Sequence, residues 1–322
     1  MSVLAALFSA TFVAQTLRMA APVGLAALGG VLSERAGVPN IALEGALLTS
    51  AFAAVAVHHA TGSPALGLAA GVAAGGLFGA AHAALAVGAR IDAIVSGLAL
   101  NLVAAGGTRA LLRALYHSSA NSPSVTGFRW AAVDGGSGTA LLARTLVDPT
   151  TWLFAACALG VAALVDRSWL GLWVRASGDD PVSAHASGVP VARVRAAMVV
   201  LGCAVAGLGG VALAFEQHQF QSGMSGGRGF IALAAVIVSG WRPLRAVAAC
   251  FVFAALDAVG IVLQGGGGVL PHVFSALPYV GTLVVLLAFA RRGGFAAPAG
   301  LGRSHEADGG LYASPLELSR WA

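Results

Sequence analysis

Apolar residues run in long blocks along this chain, and short polar stretches break the blocks at nearly regular intervals. A helix needs roughly 20 apolar residues to cross a hydrocarbon core. Residues 2–17, 41–59, 65–88, 92–113, 149–165, 196–215, 245–263 and 275–290 meet that requirement closely enough to be read as spans. Two shorter runs remain, 20–32 and 229–240; the first contains Pro22, Gly24, Gly29 and Gly30, and the second stops at Gly240. The pattern predicts an all-α, polytopic transmembrane bundle of about ten segments, or eight if both short runs are re-entrant. Short or Gly/Pro-interrupted runs in both halves of a membrane chain point to a transport site, because irregular backbone is tolerated where it lines a cavity.

Composition agrees with a membrane protein. The 322 residues are 58% hydrophobic and 10% charged, with a mean hydropathy of +0.85, against about 45–50% and about 25% in a soluble domain. Every basic side chain is Arg, and Lys is absent. A Walker A loop needs its lysine, so this polypeptide carries no ordinary phosphate-loop ATPase. The net charge of +5 reads as Arg at membrane boundaries; no basic stripe interleaved with aromatics suggests nucleic acid. Cys157, Cys203 and Cys250 lie singly inside apolar runs, as buried small hydrophobes and not as a disulfide framework. No His/Cys/carboxylate group has metal-ligand spacing and no nucleophile–base pair stands out, so neither metal nor cofactor is expected and the chain is not expected to be an enzyme. The N-terminal run lacks the positive region of a cleaved leader and is read as a retained span.

Arginine placement gives an orientation. Arg35, Arg90, Arg167, Arg175, Arg193, Arg195, Arg242, Arg245, Arg291 and Arg292 fall on one side of a ten-segment layout, and Arg18, Arg129, Arg144 and Arg228 on the other. The first side is cytoplasmic on this reading, as are both termini. Residues 1–292 form the membrane domain, with 166–195 as the longest cytoplasmic connection, and the Gly/Ala/Pro-rich tail 293–322 is expected to be disordered.

Polar residues inside such a chain are expensive unless paired or wetted. "SERAGVPNIALEGALL" (33–48) joins the first short run to the next span. Pro39 and Asn40 look like a helix start with Asn40 as its cap. Glu44 lies one turn further on; it either complements the positive helix end or faces a polar cavity, with Arg35 as an expected partner. Asn101 sits mid-span, either hydrogen-bonded between helices or facing solute. Asp257 is a second intramembrane carboxylate, with Gln264 two turns on. Asn40, Glu44, Asn101 and Asp257 are thus the candidate pathway residues. His82 is read as a hydrogen-bonded structural histidine. In the connection 166–195, Asp180 followed by Pro181 reads as cap and first helical position, and Gly188 as a stop. Those residues, with Asp179, define a short helix over 181–187, either a solvated loop helix or an element that docks a partner.

The stretches "ALGGVLSERAGVPNIALEGALL", "AHAALAVGARIDAIVSGLALNLVAAGGTR" (81–109), "RASGDDPVSAHASGVPVARVR" (175–195) and "GGRGFIALAAVIVSGWRPLRA" (226–246) resemble, in this order, the permease subunits of bacterial ABC importers. The family is the branched-chain amino acid and ribose permease superfamily, and the sub-group looks like that for nucleosides and simple sugars. The similarity runs over roughly residues 18–265; the segment 113–149 is less typical, and Asp92 and Ala93 stand where such proteins often carry Asn-Gln. The resemblance implies a multi-pass protein of the bacterial inner membrane that works with an ABC ATPase subunit, a second permease subunit in a heterodimer and an extracytoplasmic solute-binding lipoprotein. It also implies that Asp179, Asp180, Pro181 and Gly188 belong to the ATPase-coupling element, and that the solute is a nucleoside, or failing that a simple sugar or branched-chain amino acid. The rival reading is a stand-alone, ion-coupled secondary transporter with Glu44 or Asp257 as its ion site.

Overall fold

The computed structural model describes residues 9–128, 138–264 and 296–303. In chain order the helices are α1 (Ala10–Arg35), α2 (Leu43–Thr61), α3 (Pro64–Ala83, continued by a π turn over Ala84–Gly88), α4 (Ala93–Tyr116), α5 (Gly138–Val147), α6 (Pro149–Ala162, with a π turn over Ala163–Arg167), α7 (Trp169–Asp179), α8 (Pro181–Ala186), α9 (Val191–Glu216), α10 (Arg228–Val238) and α11 (Pro243–Gln264). Seven are long and apolar enough to cross a membrane, and α5 and α10 are shorter apolar helices. No strand occurs among the described residues; one isolated bridge joins Asn121 and Gln221. The all-helical membrane fold is therefore present.

The count differs from the expected layout at the start of the chain. The run 20–32 is not a separate segment: it is the second half of α1, which continues unbroken through Pro22. Proline removes one hydrogen bond to the preceding turn, and inside a bundle neighbouring helices can offset that loss. Here every residue from Ala20 to Glu34 is buried. Arg18, expected in an outer loop, lies within α1 and forms an ion pair with Glu216 at the end of α9. The run 275–290 lies outside the described residues.

Helix starts follow from local chemistry. Ser63, Asp148 and Asp180 each cap a helix through the side chain, with Pro64, Pro149 and Pro181 in the first turn. That order suits both groups: the cap accepts a free amide hydrogen, and proline has none to leave unsatisfied.

α1 and α9 are the most buried of the long helices, and α9 packs against α1, α2 and α3. Close approach depends on small residues. Gly67, Gly71, Gly75 and Gly79 recur every fourth position and form the buried stripe of α3. A Cβ at Gly75 would lie 2.6 Å from the Cys203 carbonyl oxygen and 2.8 Å from Ser50 Oγ. Gly29 of α1 and Gly202 of α9 meet backbone to backbone in the same way. In lipid, where tails are as apolar as leucine, such contact surfaces and not simple burial hold helices together. The opposite faces are apolar and exposed, as at Leu77 and Leu102.

At the end of the bundle that carries Glu216, the segments 118–128 and 217–224 pair through backbone hydrogen bonds, including Ser122 N–H to Phe220 O at 2.9 Å and Val125 N–H to His218 O at 2.7 Å. At the other end, α6, α7 and α8 follow in quick succession, so the connection 166–195 is mostly helical and not a loop with one helix in it. Arg195, expected in that loop, is a buried residue of α9. The tail also departs from expectation where it is described: residues 296–303 form turns that dock on this end, with Gly300 N–H donating to Gly178 O at 2.7 Å and Gly302 N–H to Gly37 O at 3.0 Å.

Candidate functional site where two helix starts meet

After α1 the chain turns at Gly37, whose φ is +97°, and runs back into the bundle before α2 begins at Leu43. The helix start is therefore later than the predicted position 41, and Asn40 does not cap it. Ala42 holds the capping position without a side-chain bond. Asn101 on α4 takes over that role. Its Oδ1 accepts from Gly45 N–H at 2.8 Å, and its Nδ2 donates to the Ile41 carbonyl at 2.9 Å. Packing is tight there: a Cβ at Gly45 would sit 2.5 Å from Phe78 Cζ and 2.8 Å from Asn101 Oδ1, so both side chains would have to shift.

A second helix start arrives from the far half of the sequence. The segment 217–227 leads from the end of α9 to α10, whose cap, Gly227, has a left-handed backbone with φ +82°. Glu44 receives it: Oε1 accepts from Gly227 N–H at 2.8 Å and Oε2 from Gly229 N–H at 2.7 Å. A Cβ at Gly229 would lie 2.6 Å from Glu44 Cα, so the two backbones are in contact. The carboxylate is placed at the positive end of a short helix and takes two charge-assisted hydrogen bonds. This replaces the expected partner: Arg35 instead faces Asp179 at 3.8 Å.

The other two candidates divide. Asp257 on α11 feels the charge of Arg228, whose guanidinium donates to the carbonyls of Met224 at 3.0 Å and Ser225 at 3.3 Å. Arg228 thus belongs to the α10 start and not to an outer loop. Glu44, Asn101 and Asp257 are all partly exposed in the single chain. Asn40 is fully buried, and its Nδ2 lies 3.5 Å from Cys203 Sγ. The side chain of Gln264 lies outside the described residues. Two cavities lie away from this junction. One of about 240 Å³ is lined by Arg18, Arg144, Asp148, Glu216 and His218 among others. An apolar one of about 410 Å³ opens between α6 and α9, beside Trp152 and Leu208.

Two features escaped the sequence reading. Glu34, 3% exposed, accepts from the Trp241 indole N–H at 2.6 Å. Nothing in the local sequence marks Trp241 as its partner. Arg195, 4% exposed, donates from each of its three side-chain nitrogens to carbonyl oxygens. Here a signal existed: Val191, Arg195, Val199 and Cys203 share one buried face of α9 at helical spacing. His82 is the structural histidine expected, with Nδ1 at 3.0 Å from Ser96 Oγ and Nε2 at 3.4 Å from Pro39 O.

The short helix over 181–187 is present as α8, ending one residue earlier. Asp180 Oδ1 accepts from the Val182 and Ser183 amides at 3.1 Å each, and Oδ2 accepts from Ser183 Oγ at 2.5 Å. These bonds, the Ser183 hydroxyl foremost, hold the Asp180 carboxyl below the usual carboxylate range. Gly188 follows with φ +85°.

Comparison with known proteins fits this architecture. The family model described as "Branched-chain amino acid transport system / permease component" matches residues 12–289. A putative glucose ABC transporter permease of Haloferax volcanii is 33% identical over 89% of this chain and 92% of its own. A guanosine ABC transporter permease of Bacillus subtilis is 33% identical over 86% of this chain and 91% of its own. A nucleoside ABC transporter permease of Lactococcus lactis is 30% identical over the same shares. No solved structure matches the chain significantly. The chain belongs to the branched-chain amino acid transport system permease family and is a multi-pass membrane permease subunit of the ABC-importer type.

Proposed function

We propose that the chain forms one side of a translocation pathway for a nucleoside or a closely related polar solute, and that the junction of the α2 and α10 starts lies on that pathway. The observation that carries this reading is the Glu44 carboxylate bridging Gly227 and Gly229 beside the Asn101 amide. Helix starts that end inside a membrane bundle present amide hydrogens and a fixed positive dipole end. A carboxylate and an amide beside them offer acceptors and donors to hydroxyl groups and base edges. Two relatives that match most of the chain carry guanosine and nucleoside in their names, which supports this solute class over the sugar named for the third.

The partners follow from the same reading. With no Lys for a phosphate loop, energy comes from a separate ATPase subunit. A second permease subunit covers the face on which Glu44, Asn101 and Asp257 keep partial exposure, and an extracytoplasmic solute-binding lipoprotein delivers solute. The end of the bundle that carries Arg35, Arg90, Arg167 and Arg175 faces the cytoplasm under the positive-inside bias. That orientation puts Ala10 on the outer side, in place of the inner position expected of the N-terminal run. It leaves α8, held by Asp180 and Pro181 and preceded by Asp179, which ends α7 and faces Arg35 of α1, as the element that meets the ATPase.

Initial uptake rates in proteoliposomes holding the assembled transporter test the solute class. Labelled guanosine uptake is expected to be suppressed by excess unlabelled nucleosides, and not by glucose or leucine. Suppression by glucose or leucine alone would reassign the solute.

A further inference from the structure

Arg195 carries an unusual load for a buried cation. Its Nε donates to Ala36 O at 3.1 Å, Nη2 to Ser177 O at 3.1 Å and Gly300 O at 3.3 Å, and Nη1 to Arg303 O at 2.6 Å. The acceptors belong to three separate pieces of chain: the exit of α1, the last turn of α7 and the tail segment. A buried guanidinium left without acceptors is strongly unfavourable, so the three pieces are held to one another by its need for oxygen partners.

The tail adds its own backbone bonds to the same two neighbours. Gly300 N–H donates to Gly178 O, at the entrance to α8, and Gly302 N–H donates to Gly37 O, at the head of the loop that leads to Asn40 and Glu44. A Cβ at Gly300 would lie 2.8 Å from both Gly178 O and Pro181 Cδ, so the strap lies flat on the first residue of α8. Leu301 packs against the apolar cluster that contains Trp241. One short stretch therefore touches the proposed ATPase-facing helix, the loop before α2 and the cluster beyond α10.

We propose that residues 298–303, pinned by Arg195, are the tie that makes the α7–α8 turn and the 36–42 loop move as one body, so that displacement of α8 reaches the helix start at Glu44. The transport consequence rests on the proposed function; the tie itself does not. Arg195 and the strap act as positioning elements and touch no solute.

Gly300→Leu tests this, because a side chain at that position displaces the strap from Gly178 and Pro181 while leaving Arg195 in place. In proteoliposomes containing the permease pair, the ATPase and the binding protein, solute moved per ATP hydrolysed is expected to fall at least tenfold, with hydrolysis within twofold of wild type and subunit composition unchanged. An unchanged ratio overturns the proposal, and so does loss of the ATPase from the complex, which would make the strap part of its docking surface. Hydrogen exchange on the full-length permease alone supplies a second readout. Protection at Gly37 and Val38 and at Val182 and Ser183 is expected to drop together in Gly300→Leu, by fivefold or more. A drop in one segment without the other overturns the tie. Uptake by wild-type permease without ATP would remove the transport reading, and the exchange result would still decide the tie.

Discussion

Glu34 and Trp241 are 207 positions apart, yet the Glu34 carboxylate accepts the indole N–H of Trp241 at 2.6 Å. Trp241 follows Gly240, and both have left-handed backbones, with φ +56° and +66°. That conformation is costly for a bulky residue, and the buried hydrogen bond gives the turn a reason to persist. At the other end of α10, Glu44 accepts from Gly227 and Gly229. The short helix is thus held at both ends by two glutamates from one polar stretch.

Trp241→Phe keeps an aromatic ring but leaves the Glu34 oxygen one donor short. The loss should lower stability by about 1–3 kcal/mol, the cost of a buried acceptor left unsatisfied. In a Glu34→Ala background, which removes the acceptor, the same substitution should cost less, because interacting residues are not additive. Thermal unfolding of the four purified proteins checks this; equal costs in both backgrounds would show that the two side chains are not coupled.

Glu44→Ala removes both acceptors at the α10 start, whereas Glu44→Gln keeps one oxygen. The alanine variant should lose about 2 kcal/mol, on the scale of a lost helix cap. The glutamine variant should fall between it and wild type. Nucleoside uptake should follow the same order. A glutamine variant as impaired in unfolding as the alanine variant would place the contribution in the charge and not in the hydrogen bonds.

Gly75→Ala and Gly76→Ala are a matched pair on α3. A Cβ at Gly75 meets the Cys203 carbonyl and Ser50, whereas at Gly76 the nearest atom is Ala204 Cβ at 3.8 Å. Overpacking a tight contact costs about 1–3 kcal/mol, so Gly75→Ala should lower the unfolding temperature and Gly76→Ala should leave it within error or raise it slightly. Equal effects would contradict the α3–α9 contact.

Much of this fold is legible in the sequence because apolar blocks, caps and Gly spacing act locally. Six of the seven long helices, the Asp180–Pro181 start of α8 and the short α10 all follow from neighbours within a turn or two. The junction is legible in part. Glu44 and Asn101 stand out as polar residues in apolar helices, and each finds the partner its cost demands. What the sequence hides is long-range. Pro22 looks like a break, but α1 runs through it with the surrounding residues buried. Asn40 reads as a cap, but the chain needs two more residues to turn inward, and Asn101 from another helix does the capping. Arg195 reads as a boundary charge, because its acceptors come from segments up to 159 residues away.

The α8 cap has a pH dependence of known sign. Hydrogen bonds from Ser183 lower the Asp180 carboxyl in the folded chain, so its contribution is complete above the ordinary carboxylate pKa of about 3.9. It is lost as pH falls through the lower folded value. Protection factors at Val182 and Ser183 should therefore be flat from neutral pH down to about 4 and decline only below that. Asp180→Asn should keep most of the protection and Asp180→Ala should lose it across the range. A decline that begins near neutral pH would mean another group supports this helix.

ATP dependence of uptake tests the central claim most directly. Labelled nucleoside uptake is measured in proteoliposomes that hold this chain alone, and in others that hold it with the second permease, the ATPase and the binding protein. The account predicts uptake only in the complete system with ATP at the cytoplasmic face, and its loss in Glu44→Ala and Asn101→Ala complexes that still hydrolyse ATP. Uptake by the lone chain that survives ATP depletion and collapses with an uncoupler would contradict it.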